Sequence, residues 1–153
     1  MKKLLLATLL TASLFSLAMA QELSQRVAVV DQVQGTVEAK TANNIWKPAT
    51  EGMFLNQNDT IRTKNNSSAI LSLDGNAQTA IVEVKENTEL SLAEMVEVKD
   101  KDIQKTLLDL SLGNILIKAK KLHTEKSSFE VKTPTSVVAV RGTTFAVSVE
   151  AAE

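Results

Sequence analysis

The chain has no cysteine and no tyrosine, one histidine, one tryptophan, two prolines and five glycines in 153 residues. Without cysteine there is no disulfide staple and no thiol nucleophile. With His123 as its only imidazole, the chain also lacks the N and S ligands of an ordinary zinc site. That histidine lies in Lys120-Lys121-Leu122-His123-Thr124-Glu125-Lys126, a charged stretch that reads as a hairpin tip. A solvated loop histidine fits there better than a general base. The glycines are scattered singly, so no Gly-rich loop cradles a phosphate, and no Asp-x-Asp-x-Asp-Gly calcium loop occurs. Basic residues do not outnumber acidic ones, 17 against 18, so the chain has no electrostatic footprint for nucleic acid. No catalytic residue, cofactor site or metal site is expected.

The first residues read as an export leader. Lys2 and Lys3 form a positive start, an apolar stretch from Leu4 to Leu17 follows, and Ala18-Met19-Ala20 is an A-x-A cleavage signature. The apolar stretch falls short of the roughly 20 residues that span a bilayer as a helix. Cleavage before Gln21 therefore makes residues 1–20 a signal peptide and residues 21–153 one exported domain, periplasmic or secreted. No cysteine stands at the cut to carry a lipid, and no later apolar run is long enough to span. Loss of Lys2 and Lys3 takes the net charge from −1 to −3. A domain of this length can bury a real core without disulfides.

Short alternating runs punctuated by turn residues fill the rest. Val27 and Val29 precede Asp31, and Val33 and Val37 flank Gly35. Ala69, Leu71 and Leu73 alternate with Ser68, Ile70 and Ser72, ahead of Asp74-Gly75, a hairpin signal because both central residues of a type I′ turn need positive φ. Strands are also expected at Ala80 to Val84, Leu90–Leu92, Leu108–Leu112, Ile115–Ala119, Phe129–Val131 and Phe145–Val149, with Gly113-Asn114 as a turn. Ile103 to Leu112 fits helical spacing as well, but the alternation of Leu108, Leu110 and Leu112 favours a strand. Glu97 to Lys105 reads as a polar excursion, and no internal repeat stands out. The pattern predicts an all-β domain, a compact rolled or sandwich-like packing of short antiparallel strands, with a short solenoid-like β-roll as the alternative.

Three groups of polar or aromatic residues invite a functional reading. Lys118, Lys120 and Lys121, with Lys126, form a basic cluster in an acidic chain. They suit an anionic partner, or else they guard an edge strand against pairing. Trp46, before Lys47-Pro48, either stacks on a sugar ring or folds back over the open end of a sheet. Asp74, Glu83, Glu89 and Asp109 are carboxylates; a converging pair would suit glycoside hydrolysis, and solvated outward faces are the plainer reading.

The segment from Thr133 to Val147, with Thr133-Pro134, a small apolar run, then Arg141-Gly142-Thr143 and Phe145, resembles the signature of FecR-domain proteins. Other pieces follow in the same order: Gly35-Thr36-Val37, Trp46-Lys47-Pro48-Ala49, Asp59-Thr60-Ile61-Arg62-Thr63, Asn87-Thr88-Glu89-Leu90 and Ser127-Ser128-Phe129-Glu130-Val131. The likeness runs from about Val33 to Val149, with Asn58 and Ala139 at places where glycine is commoner. It implies that Thr133, Pro134, Arg141, Gly142, Thr143, Phe145 and Asp59 are motif residues with structural roles. Arg141, set in an apolar run, is expected to pair with Asp59 or Glu130. The best-known FecR domain is the periplasmic half of a membrane-spanning regulator that relays the state of an iron-siderophore receptor to a sigma factor. This chain opens on a leader instead of a cytoplasmic region and shows no spanning helix. The expectation is thus a non-enzymatic binding module for a protein of the cell envelope, with signalling as one use. A glycan- or cell-wall-binding module is the alternative.

Overall fold

The computed structural model describes residues 22–75, 79–122 and 124–151. The expected leader and its expected cut lie outside these residues, as does His123. Thirteen strands run in chain order: β1 Leu23–Gln25, β2 Ala28–Gln34, β3 Val37–Lys40, β4 Trp46–Pro48, β5 Phe54–Leu55, β6 Thr60–Thr63, β7 Ser68–Leu73, β8 Ala80–Val84, β9 Glu89–Val98, β10 Ile103–Ala119, β11 Ser128–Lys132, β12 Val137–Ala139 and β13 Thr144–Val149. The only helical element among the described residues is a single 3₁₀ turn, Lys99–Lys101, inside the expected polar excursion. The fold is all-β: one strongly curled sheet whose two halves face each other. All pairings are antiparallel except that of β10 with β11.

One half, sheet A, reads β4-β3-β6-β9-β10-β11-β12, with β1 also on β9; the other, sheet B, reads β5-β2-β7-β8-β10-β13. Inward rows from both halves meet in one core. Ile61, Leu90, Leu92, Leu108, Leu110, Phe129 and Val131 come from sheet A, and Val30, Leu71, Leu73, Val82, Ile115 and Ile117 from sheet B. Burying each such side chain stabilises by about 1.5–3 kcal/mol. In β2 the inward row is Ala28 and Val30, with Val27 and Val29 half-buried.

The chain passes between the halves four times along one column of corners, at Gly35-Thr36, Asn66-Ser67, Asn87-Thr88 and Gly113-Asn114. The first residue of each pair has positive φ: 74°, 50°, 51° and 94°. Glycine and asparagine tolerate that region best. Each corner bonds to the next. Ser67 Oγ accepts from the Thr36 N–H at 2.8 Å, Asn87 N–H donates to the Lys64 carbonyl at 3.2 Å, and Asn114 N–H donates to Thr88 Oγ1 at 2.9 Å. The corners recur at unequal spacing, which is why no repeat is evident in the sequence.

Gly113-Asn114 is therefore not the turn that was expected between two short strands. β10 continues through it for 17 residues, pairing with β9 before Gly113 and with β8 and β13 after it. A Cβ on Gly113 would collide with Thr88 and with the Asn87 carbonyl oxygen. The corner folds a strand over instead of ending it because the ladder hydrogen bonds resume directly on the new neighbour. Asp74 and Gly75 do both have positive φ, 67° and 63°, but β8 starts only at Ala80, so the connection is longer than a two-residue hairpin.

Asp74 is not a solvated turn residue either. It accepts two hydrogen bonds from the guanidinium of buried Arg26, that from Nε at 2.7 Å, and a third from Thr79 Oγ1. Arg26 also donates to Thr106 Oγ1 at 2.9 Å and to the Lys105 carbonyl at 3.2 Å. A buried cation so fully satisfied ties the β1–β2 segment to the β7–β8 connection and to β10.

Candidate functional site

The motif residues lie at the end of the molecule formed by β11, β12 and β13. β11 bonds to the first half of β10, so Phe129 and Val131 complete the core there. The next four residues, Thr133-Pro134-Thr135-Ser136, make a tight turn. Thr133 Oγ1 accepts the Ser136 N–H at 3.0 Å and the Thr133 N–H donates to the Ser136 carbonyl at 2.8 Å. Proline belongs in such a turn because its φ is already set. β12 then pairs back on β11, with Val138 opposite buried Val131 and so facing inward. Val137 and Val138 nevertheless remain 59% and 38% exposed.

Segment 140–143 carries the chain across to sheet B. Val140 N–H donates to the Phe129 carbonyl at 2.8 Å, and Ala119 N–H donates to the Thr143 carbonyl at 3.1 Å. Gly142, at φ 68°, comes so close to Lys121 that a Cβ would fall 2.6 Å from the Lys121 Cα. β13 runs antiparallel to the second half of β10, placing Phe145 and Val147 opposite buried Ile117 and Ile115. Between the Thr133–Ser136 turn, Val138 and the β13 edge lies a groove of about 810 Å³, with Leu112 and Val149 among its apolar walls and Glu150 as its one charged lining residue. Among the described residues, no strand pairs with the outer edge of β12 or of β13.

Arg141 departs from expectation. It is exposed and lines a shallow hollow with Lys121, Leu122, Thr124 and Glu125, and neither Asp59 nor Glu130 pairs with it among the described residues. The apolar run around it supplies an edge strand and a crossing rather than an enclosed strand, so its charge faces water and makes no ion pair among the described residues. Asp59 is buried, far along the sheet, where its carboxylate accepts the Asn56 N–H at 2.7 Å and its carbonyl accepts the Leu92 N–H at 2.9 Å. It fastens the loop before β6 to β9.

The lysines do not guard an edge. Lys118 sits on β10 between β8 and β13, with Ile81 and Thr144 as register partners. It donates to Glu83 at 2.8 Å, while Lys120 and Lys121 are exposed beyond the end of that strand. Lys118, with Lys85 at 2.9 Å, holds the Glu83 carboxyl below the usual carboxylate range. A carboxyl kept ionised in this way is a poor proton donor. Asp109 faces Lys132 at 3.5 Å, and Glu89 stands opposite Arg62 in register. Trp46 is neither enclosed nor open. It is half-buried on edge strand β4 with the Arg62 guanidinium carbon 3.8 Å and Lys40 Nζ 5.2 Å from its ring centroid. Glu38 binds Arg62 at 2.7 Å and is itself held below the usual carboxylate range, first by that hydrogen bond. Sequence reasoning missed the Arg26–Asp74 pair and the corner column. The left-handed asparagines just before Ser67 and Thr88 were the signal for the corners.

No group of three or more His, Cys, Asp or Glu side chains is arranged to hold a metal ion among the described residues. No curated protein and no solved structure matches the chain. The profile described as FecR protein matches residues 59–153, a span that starts at the buried loop carboxylate and takes in the turn, the edge strand and the crossing just described. With that match over more than half of its length, the chain belongs to the FecR protein family.

Proposed function

We propose that this chain is a non-enzymatic FecR module, exported to the periplasm or beyond, that binds a protein of the cell envelope through its β12/β13 end. The observation that carries the reading is the pair of open, uncharged strand edges flanking the motif-lined groove. An extended segment adds to such an edge by main-chain hydrogen bonds and seats alternate side chains in the groove. The leader in the sequence supports export, and the cation-held carboxylates favour binding over hydrolysis. A use in signalling is suggested by the family resemblance alone and by no residue of the groove. Glycan binding at Trp46 is the weaker reading, because Arg62 already stacks on that ring.

The test is capture from an envelope extract by the immobilised exported protein and by its Ala146→Lys variant. Ala146 is exposed on β13, so a lysine there obstructs strand addition while the fold persists. A protein held by the parent and released by the variant supports the reading. Equal recovery by both, or no recovery, overturns it.

A further inference from the structure

At the β4/β5 end the two halves finish level, and residues 49–53 join them by hydrogen bonds to both Val37 and Val30. The opposite end is stepped. Sheet A counts seven strands across, β4, β3, β6, β9, β10, β11 and β12, whereas sheet B counts six, β5, β2, β7, β8, β10 and β13. β12 overhangs, and the groove lies beside β13 where a further strand of sheet B would run.

A one-strand step is complementary to itself. Rotation by a half turn about an axis along the strands brings sheet A of one copy into line with sheet B of another. Strand polarity agrees with this. β11 runs parallel to the first half of β10 and β12 antiparallel to β11, while β13 runs antiparallel to the second half of β10, which heads back after the fold at Gly113. β12 and β13 therefore point in opposite directions, the rotation leaves both directions unchanged, and β12 of one copy meets β13 of the other as an antiparallel pair.

Charge agrees as well. Neither Val137–Ala139 nor Thr144–Val149 contains a charged residue or a proline. In a two-fold contact each patch meets the same chain's chemistry, so uncharged edges avoid repulsion between like groups. At the closed end, edge strand β4 carries Lys47 and Pro48, and edge strand β5 is only two residues long.

We propose that the step seats a second copy of this chain, forming a two-fold dimer in which β12 of each copy pairs with β13 of the other. This rests on the strand-binding reading above and names the occupant. Sedimentation equilibrium of the exported protein over a micromolar to millimolar series tests it. The expected result is a monomer–dimer equilibrium, abolished in Ala146→Lys and in Val137→Glu, each with the parent's far-UV circular dichroism and the melting temperature that the parent shows at high dilution. Mixing the two variants should restore a heterodimer, because one of its two junctions then joins glutamate to lysine and the other is unaltered. A chain monomeric throughout, a dimer that survives both substitutions, or a mixture that stays monomeric overturns the proposal. Monomers that still hold an envelope protein through Ala146 would sink the dimer and leave the strand-binding reading standing. Monomers with no such capture would sink both.

Discussion

At the β4/β5 end, the crossing segment 49–53 bonds to both sheets, buries Ala49 and leaves behind an edge strand with a lysine, a proline and a tryptophan clamped by Arg62. At the β12/β13 end, the crossing segment 140–143 also bonds to both sheets, but it leaves an apolar groove and two uncharged edges. The difference does not lie in the crossing, which each end has. It lies in whether the two halves finish on the same row. Level halves let a short loop cap the core; unequal halves leave one strand's inner face, here Val138, without an opposite. A curled sheet of this kind is sealed by strand count as much as by hydrophobicity.

The largest expected effect comes from Gly113→Ala. β11 and β13 both pair with β10, so the stepped end depends on how β10 folds at Gly113. Alanine there meets a left-handed φ and a collision with Thr88, a cost of about 2–4 kcal/mol. Urea unfolding should show the loss, and hydrogen exchange should show it first in β13. A loss no larger than that of an exposed alanine substitution would mean that β10 does not set the stepped end.

At the closed end, Trp46→Ala removes half-buried ring surface and the stacking of Arg62, and should cost about 1–2 kcal/mol without changing association. Thermal melts and sedimentation read the two quantities separately. If Trp46→Ala weakened association, the contrast between the ends would be misplaced.

The smallest effect concerns acid. Lys118 and Lys85 hold the Glu83 carboxyl below its ordinary value, so its contribution is fully present above the unfolded carboxylate pKa of about 4.3 and is lost as pH falls through the depressed folded value. Lys118→Met should flatten that part of the acid unfolding curve by roughly a few tenths of a kcal/mol, since the site is largely solvated. A parallel shift of the whole curve would indicate lost packing instead.

Much of the fold was legible because strand alternation is local. The rows Ala69–Leu71–Leu73, Leu108–Leu110 and Ile115–Ile117 are buried as their spacing implies. The phase at Ala28 and Val30 was not, since valines on both faces give no contrast. The family motif was legible as a string of residues, but its roles were not. Arg141 sits in an apolar run yet faces water, because the run forms an edge. Lys118 resembles a strand guard yet lies between two strands, because the sequence does not say which side of β10 receives β13.

Residue order alone determines the all-β class, most of the inward rows, and the glycines and asparagines that can enter the left-handed region. Tertiary structure decides which of those residues become corners, which edges stay open, and that Arg26 finds Asp74 across 48 positions. The physical reason is range. Dihedral preference and alternation act within a few residues, whereas strand neighbours and ion pairs are chosen only when distant segments share one core.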